Sequence, residues 1–177
     1  KERLEKKFNV TITEDDLRKA VRKRNELRKV LCEMYELQQT CPPAMRGTEM
    51  MLAFQKGSFT FDLDQQIEHI RGLAEEAKKS YAAGESIVPA SAKRILITGC
   101  PTGGVIQKVG MVVENNGGVI VCLDDCSGER TRSLMIDENA DDILRAISDR
   151  YLNIHCSVMT PNEGRMENTK KMIEKYK

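Results

Sequence analysis

Residues 94–132 read RILITGCPTGGVIQKVGMVVENNGGVIVCLDDCSGERTR, and this stretch decides the fold. Ile95-Leu96-Ile97-Thr98 is an uninterrupted apolar run, too short for a helix and rich in β-branched residues. Such a run, bounded by turn residues, predicts a strand covered on both faces, as in parallel sheets. Gly99-Cys100-Pro101-Thr102-Gly103-Gly104 breaks it. A helical pattern follows with Val105, Val109, Val112 and Val113 on one stripe, and Asn115-Asn116-Gly117-Gly118 stops it. Val119-Ile120-Val121-Cys122-Leu123 is a second buried strand. Strand, helix and strand in about thirty residues form a βαβ unit, which closes right-handed. Both strands end in polar, cysteine-bearing loops, Gly99–Gly104 and Asp124–Arg132. Ligands of open α/β sheets bind beyond the carboxyl ends of the strands, so any chemistry is expected there.

Working outward, the 177 residues carry 31% charged side chains yet a formal net charge of only +1. That balance argues against a general nucleic-acid or membrane-surface binder. No apolar stretch reaches the length of a membrane span and no signal-peptide pattern is present. Six cysteines, without a CxxC, are expected as reduced thiols in a cytoplasmic protein, some of them metal ligands, rather than as a disulfide framework. Aromatic residues are only 5%, so the core must be aliphatic and methionine-rich. The sequence opens on Lys1 within helix-forming text and ends on Lys177 in another such stretch, as expected of a fragment of a longer chain.

Residues 1–83 predict a helical layer, 84–93 a small-residue linker, and 94–177 the first half of an α/β domain. Residues 1–12 are expected to be extended. Thr13-Glu14-Asp15-Asp16 fits a capping box, and the apolar series Leu17, Ala20, Val21, Leu27, Leu31, Met34, Leu37 predicts a long amphipathic helix ended by Cys41-Pro42-Pro43. The basic residues Arg18, Lys19, Arg22, Lys23, Arg24, Arg28 and Lys29 suggest phosphate binding. They lack interleaved aromatics and are flanked by acids, so a solvated helix face is the simpler explanation. Met45–Gln55 predicts a short helix with Met50, Met51 and Phe54 inward. Leu63, Ile67, Ile70, Ala74, Ala77 and Tyr81 step by four and three, with Asp62 as N-cap and Gly84 beyond the end. Asp137 or Asn139 is expected to cap a helix carrying Ile143, Leu144, Ile147 and Tyr151; 154–158 would be a third strand, followed by a final helix.

Several residues carry candidate chemistry. The loop containing Gly99, Cys100, Gly103 and Gly104 sits where a phosphate loop would, but matches neither GxGxxG nor a Walker A sequence, so a plain strand-to-helix turn competes with cofactor binding. Cys100, Cys126 and Cys156 would share one sheet edge if 154–158 is a strand, a set of soft ligands suited to iron–sulfur chemistry. Cys32 and Cys122 fit core positions better. His155 is a candidate acid or base without a defined partner, and His69 fits an interface. Asp124, Asp125, Glu129 and Arg130 supply candidate carboxylates or a self-neutralising loop.

RILITGCPTGGVIQKV, NNGGVIVCLDDCSGER and RYLNIHCSVMTPNEGRM resemble the D-component subunits of the 2-hydroxyacyl-CoA dehydratases, the 2-hydroxyglutaryl-CoA dehydratase type. TITEDDLRKAVRKRNELRKVLCEMYEL and CPPAMRGTEMM are similar too, so the resemblance covers almost the whole chain. Benzoyl-CoA reductase subunits and double-cubane cluster proteins share this architecture. The resemblance implies flavodoxin-like α/β domains gripping an iron–sulfur cluster, of the 4Fe-4S or double-cubane type, with Cys126, Cys156 and Cys100 as the candidate ligands here. It also implies an anaerobic lyase with a sister subunit and a separate ATP-dependent activator protein that supplies one low-potential electron. The acyl-CoA thioester would then lose water by syn-elimination through a ketyl radical. Family members often carry Cys-Ser-Cys near 156, where this chain has Cys156-Ser157-Val158. The fragment alone is expected to bind no complete cluster and to be inactive. The alternatives are a double-cubane cluster reductase of the same superfamily, a non-catalytic CoA- or phosphate-binding module using the Gly99 loop and the basic helix, and a subunit-assembly module.

Overall fold

The computed structural model describes residues 1–100, 106–156 and 158–177. It is a mixed α/β structure with a two-stranded parallel sheet, consistent with part of a flavodoxin-like fold. α1 (Glu2–Phe8) precedes α2 (Glu14–Glu36), a 3₁₀ turn (Leu37–Gln39), α3 (Gly47–Ser58) and α4 (Leu63–Ala82). β1 (Lys93–Thr98) and β2 (Gly118–Asp124) flank a π-helical turn (Ile106–Gly110) that runs into α5 (Met111–Asn115). α6 (Glu129–Arg132), α7 (Ile143–Leu152) and α8 (Gly164–Lys175) complete the order.

The βαβ expectation holds: β1 and β2 pair in parallel from Lys93 opposite Gly118 to Thr98 opposite Asp124, with an irregularity between Ile95 and Leu96. Only β2 is buried along its length, from Val119 to Asp124, while Ile95, Leu96 and Ile97 are half-buried. Full cover therefore reaches one strand rather than two. The stripe expected after β1 is also rotated. Val109 and Val112 face solvent and Ile106 and Gly110 are buried, because a π turn takes more residues per revolution than an α turn. Val105, the first residue of that stripe, lies outside the described residues.

The helices follow the apolar spacing elsewhere. Thr13 and Asp16 form the capping box, with the Asp16 amide donating to Thr13 Oγ1 (3.1 Å) and the Thr13 amide to Asp16 Oδ2 (3.0 Å). α2 ends five residues before Cys41, and a 3₁₀ turn carries the chain toward the prolines. α4 buries Ile67, Ile70 and Ala74, and Asp62 accepts from the Asp64 and Gln65 amides. Residues 2–8 are helical, not extended. The Lys1–Glu5 pair (3.8 Å) supports the turn, Asn9 closes it in the left-handed region (φ 50°), and Glu5 accepts the Ile12 amide. α7 is capped by Asp142, which accepts the Arg145 amide (3.0 Å), and not by Asp137 or Asn139.

One aliphatic core, rich in methionine, runs through α2, α3, α4, β2 and α8. α3 meets the sheet at Gly47, where a Cβ would collide with the Ile120 carbonyl and Cβ. Arg94 ties the start of β1 to the chain around it, donating to the Tyr176 (2.8 Å), Thr40 (3.0 Å) and Gln38 carbonyls. A smaller cluster of Val21, Ile136 and Ile143 joins α2 to α7. Among the described residues no helix is long and apolar enough to cross a membrane.

Candidate functional site

β2 delivers Asp124 and Asp125 into the interior and then turns sharply through Cys126-Ser127-Gly128 into α6. The turn is tight because Gly128 lies against the Leu123 backbone, where a Cβ would collide. Asp125 Oδ1 accepts from the Ser127 amide (2.8 Å) and hydroxyl (2.7 Å). Asp124 is held from three sides. Arg130 donates from Nε to Oδ1 (3.2 Å) and from Nη2 to Oδ2 (3.3 Å), Thr98 Oγ1 donates to Oδ2 (2.7 Å), and Arg165 stands 3.7 Å away. Arg130 also donates to the Gly99 carbonyl (3.2 Å), linking the ends of both strands. Burial opposes the Arg130 charge, but the Asp124 carboxylate more than offsets it and raises the Arg130 pKa. Asp124 and Arg130 thus neutralise each other, as do Glu129 and the deeply buried Arg132.

Beyond this end of β2 lies a cavity of about 250 Å³ walled by α2, α6, α7 and the segment after α7. Cys126 and Cys156 both line it, together with Arg24, Arg28, Arg130 and Arg150. Arg28 donates to the Thr131 carbonyl (3.4 Å) and to Asn25 Oδ1 (3.0 Å). Arg150 donates to the carbonyls of Thr131 (2.6 Å), Arg130 (3.2 Å) and Leu134 (3.2 Å). The two side chains thereby satisfy carbonyls at the end of α6 that have no helical partner. Burial lowers the pKa of both, and for Arg28 the nearby Arg150 charge adds to it.

The expected site residues fall in different places. Cys126 is exposed in the β2–α6 turn and Cys156 half-buried after α7, and they meet at this cavity. Cys100 is exposed beyond β1 and does not line it. Gly99 adopts φ +133°, which favours glycine, and its amide donates to the Asp124 carbonyl (3.3 Å). Gly103, Gly104 and most of the proposed phosphate loop lie outside the described residues, as does Ser157. Residues 154–156 form no strand. The Cys156 amide turns back to the Ile154 carbonyl (2.7 Å), and the Cys156 carbonyl accepts from Met159 and Asn162, so the backbone is satisfied locally. His155 packs its ring against Gly164 and its carbonyl accepts from Arg165 (3.0 Å).

Cys122 is fully buried and burial pushes its thiol up to about 12, as a core residue requires. Cys32 is not in apolar surroundings: it is half-buried, with its Sγ 3.6 Å from the Arg132 carbonyl and 3.8 Å from Arg132 Nη1. The basic face of α2 is also not wholly solvated. Arg28 is buried, and Arg18 reaches the carbonyls of Glu138 and Ala140. Val21, Asn25, Arg28 and Cys32 recur at spacings of four, three and four, a stripe visible in the sequence but obscured by its polar members.

The structure is thus an α/β one in which thiols and arginines line a cleft beyond the carboxyl end of the second strand, the region where open α/β sheets bind their ligands. The whole chain, residues 1–177, matches the family described as 2-hydroxyglutaryl-CoA dehydratase, D-component, and the chain belongs to that family. Among curated proteins, "Putative dehydratase subunit YjiM" of Escherichia coli (strain K12) is 34% identical over 173 residues, 98% of this chain and 44% of that relative. The chain therefore spans less than half the length of the curated relative it matches.

Proposed function

We propose that the chain is part of an iron–sulfur subunit of a reductive 2-hydroxyacyl-CoA dehydratase, with Cys126 and Cys156 contributing cluster thiolates. One observation carries this: two cysteines far apart in sequence, in a chain of this family throughout, line one cavity beyond β2. The donor set fits a cluster in kind, since thiolates are the ligands of iron–sulfur centres. It fits in number only in part. Among the described residues no group of three or more metal-ligating side chains comes together, so further ligands have to come from elsewhere in the assembled protein.

When bound, the cluster would supply the low-potential electron chemistry that lets a 2-hydroxyacyl-CoA lose water, on reduction by an ATP-dependent activator protein. The chain's own residues do the positioning. Asp124 and Arg130 fix the turn that carries Cys126, and the Cys156–Ile154 turn sets the second thiol. A sister dehydratase subunit is the expected partner, as the family's component name implies.

Iron and acid-labile sulfide analysis of the anaerobically purified full-length protein tests this. Cys126→Ser and Cys156→Ser should each lower cluster content to a fraction of wild type, while Cys122→Ala should leave it unchanged. Full iron loading in both serine variants would overturn the assignment.

A further inference from the structure

Arg28 and Arg150 are both 5% exposed, yet neither has a carboxylate partner. Every carboxylate of the chain is among the described residues, and none lines the cavity. Arg130 differs, since Asp124 compensates it. The Tyr151 hydroxyl faces the Arg28 guanidinium as a neutral partner only, and among the described residues Nη1 of Arg150 has no acceptor, although both side chains wall the cavity. Two like charges held in one desolvated wall favour an anion that supplies acceptors to both. Exposed Arg24 adds a third positive charge on the cavity lining.

We propose that the cleft between α2 and α7 is a phosphate-binding site, with Arg28 and Arg150 as its ligands and Arg24 at its edge. A phosphate near neutral pH carries close to two negative charges, matching the two uncompensated guanidiniums, and its oxygens suit planar N–H forks. The phosphate is either free or the phosphoryl group of a larger ester. Tyr151, half-exposed with its ring 4.6 Å from the Arg150 guanidinium, offers an aromatic face to an ester's base. The site stands apart from the cluster proposal, because iron content reports on the thiols and phosphate affinity on the arginines.

Calorimetric titration of the full-length protein, iron-loaded and iron-free, with inorganic phosphate, glycerol phosphate and AMP tests it, with chloride as control. One saturable phosphate site is expected in both forms, weakened at least about tenfold by Arg28→Met or Arg150→Met. Arg24→Gln removes only an exposed side chain and should weaken binding several-fold. In the iron-free protein, phosphate should slow alkylation of Cys126. Tighter binding of AMP than of inorganic phosphate would identify a nucleotide ester as the source; equal binding would identify the free ion. Absence of saturable binding overturns the proposal. So does wild-type affinity and Cys126 protection in Arg24→Gln, or binding abolished by iron loading, which would mean that the arginines answer the cluster's charge.

Discussion

Arg130 grips Asp124 through two hydrogen bonds, 3.2 and 3.3 Å, with both side chains almost wholly buried. The pair joins the last residue of β2 to the first turn of α6 and so spans the turn that carries Cys126. Replacing Asp124 by Asn leaves the buried Arg130 guanidinium without its counter-charge and also removes the partner of Arg165, 3.7 Å from the same carboxylate. Asp124→Asn should lower stability by about 3–5 kcal/mol in urea unfolding. A midpoint equal to wild type would show that the pair does not hold the turn.

Two glycines permit backbones to touch. Gly47→Ala would drive a methyl group into the Ile120 carbonyl, and Gly128→Ala into Leu123. Each should destabilise by about 1–3 kcal/mol or more, since neither neighbour is a flexible side-chain tip. Gly72→Ala is the control: nothing lies within 4 Å of its added Cβ, and the change should be neutral to stabilising.

The buried Cys122 thiol makes stability fall in alkali. Its pKa is pushed from 9.0 up to about 12 in the folded chain. Below about pH 8 both states keep the proton and contribute no slope. As pH rises through the unfolded value, the unfolded chain releases its proton while the folded chain retains it, so unfolding is favoured until about pH 12. The slope is at most about 1.4 kcal/mol per pH unit. Comparing wild type with Cys122→Ala between pH 8 and 10.5 should show the extra slope in wild type alone.

Thiol labelling of the iron-free protein should separate the cysteines by exposure. Cys126, Cys100 and Cys41 should react first, and Cys122 only on unfolding. Cys122 labelling as fast as Cys126 would contradict the burial of β2.

The cap of α7 distinguishes three carboxylate or amide candidates. Asp142→Ala should cost about 1 kcal/mol, whereas Asn139→Ala should have little effect because its side chain makes no cap.

How far the sequence reached is seen residue by residue. The α4 stripe from Leu63 to Tyr81, the Thr13 capping box and the parallel βαβ unit were legible because each rests on local spacing or local capping chemistry. Val109 and Val112 misled because a π turn shifts register without any marker in composition. The segment 154–156 has the composition of a strand, yet its backbone is satisfied by its own turn.

The sequence by itself determined the helices α2 and α4, the parallel pair β1 and β2, and that Cys126 follows the second strand; periodicity and turn residues act over a few neighbours. Only the tertiary structure decided that Cys156 meets Cys126, that Arg28 turns inward while Arg24 stays exposed, and that Arg150 joins them. Those outcomes depend on α2 and α7 closing over the carbonyls at the end of α6. A buried arginine is stable only where such acceptors are already in place, and the Thr131 carbonyl that serves both lies 103 positions from Arg28 and 19 from Arg150.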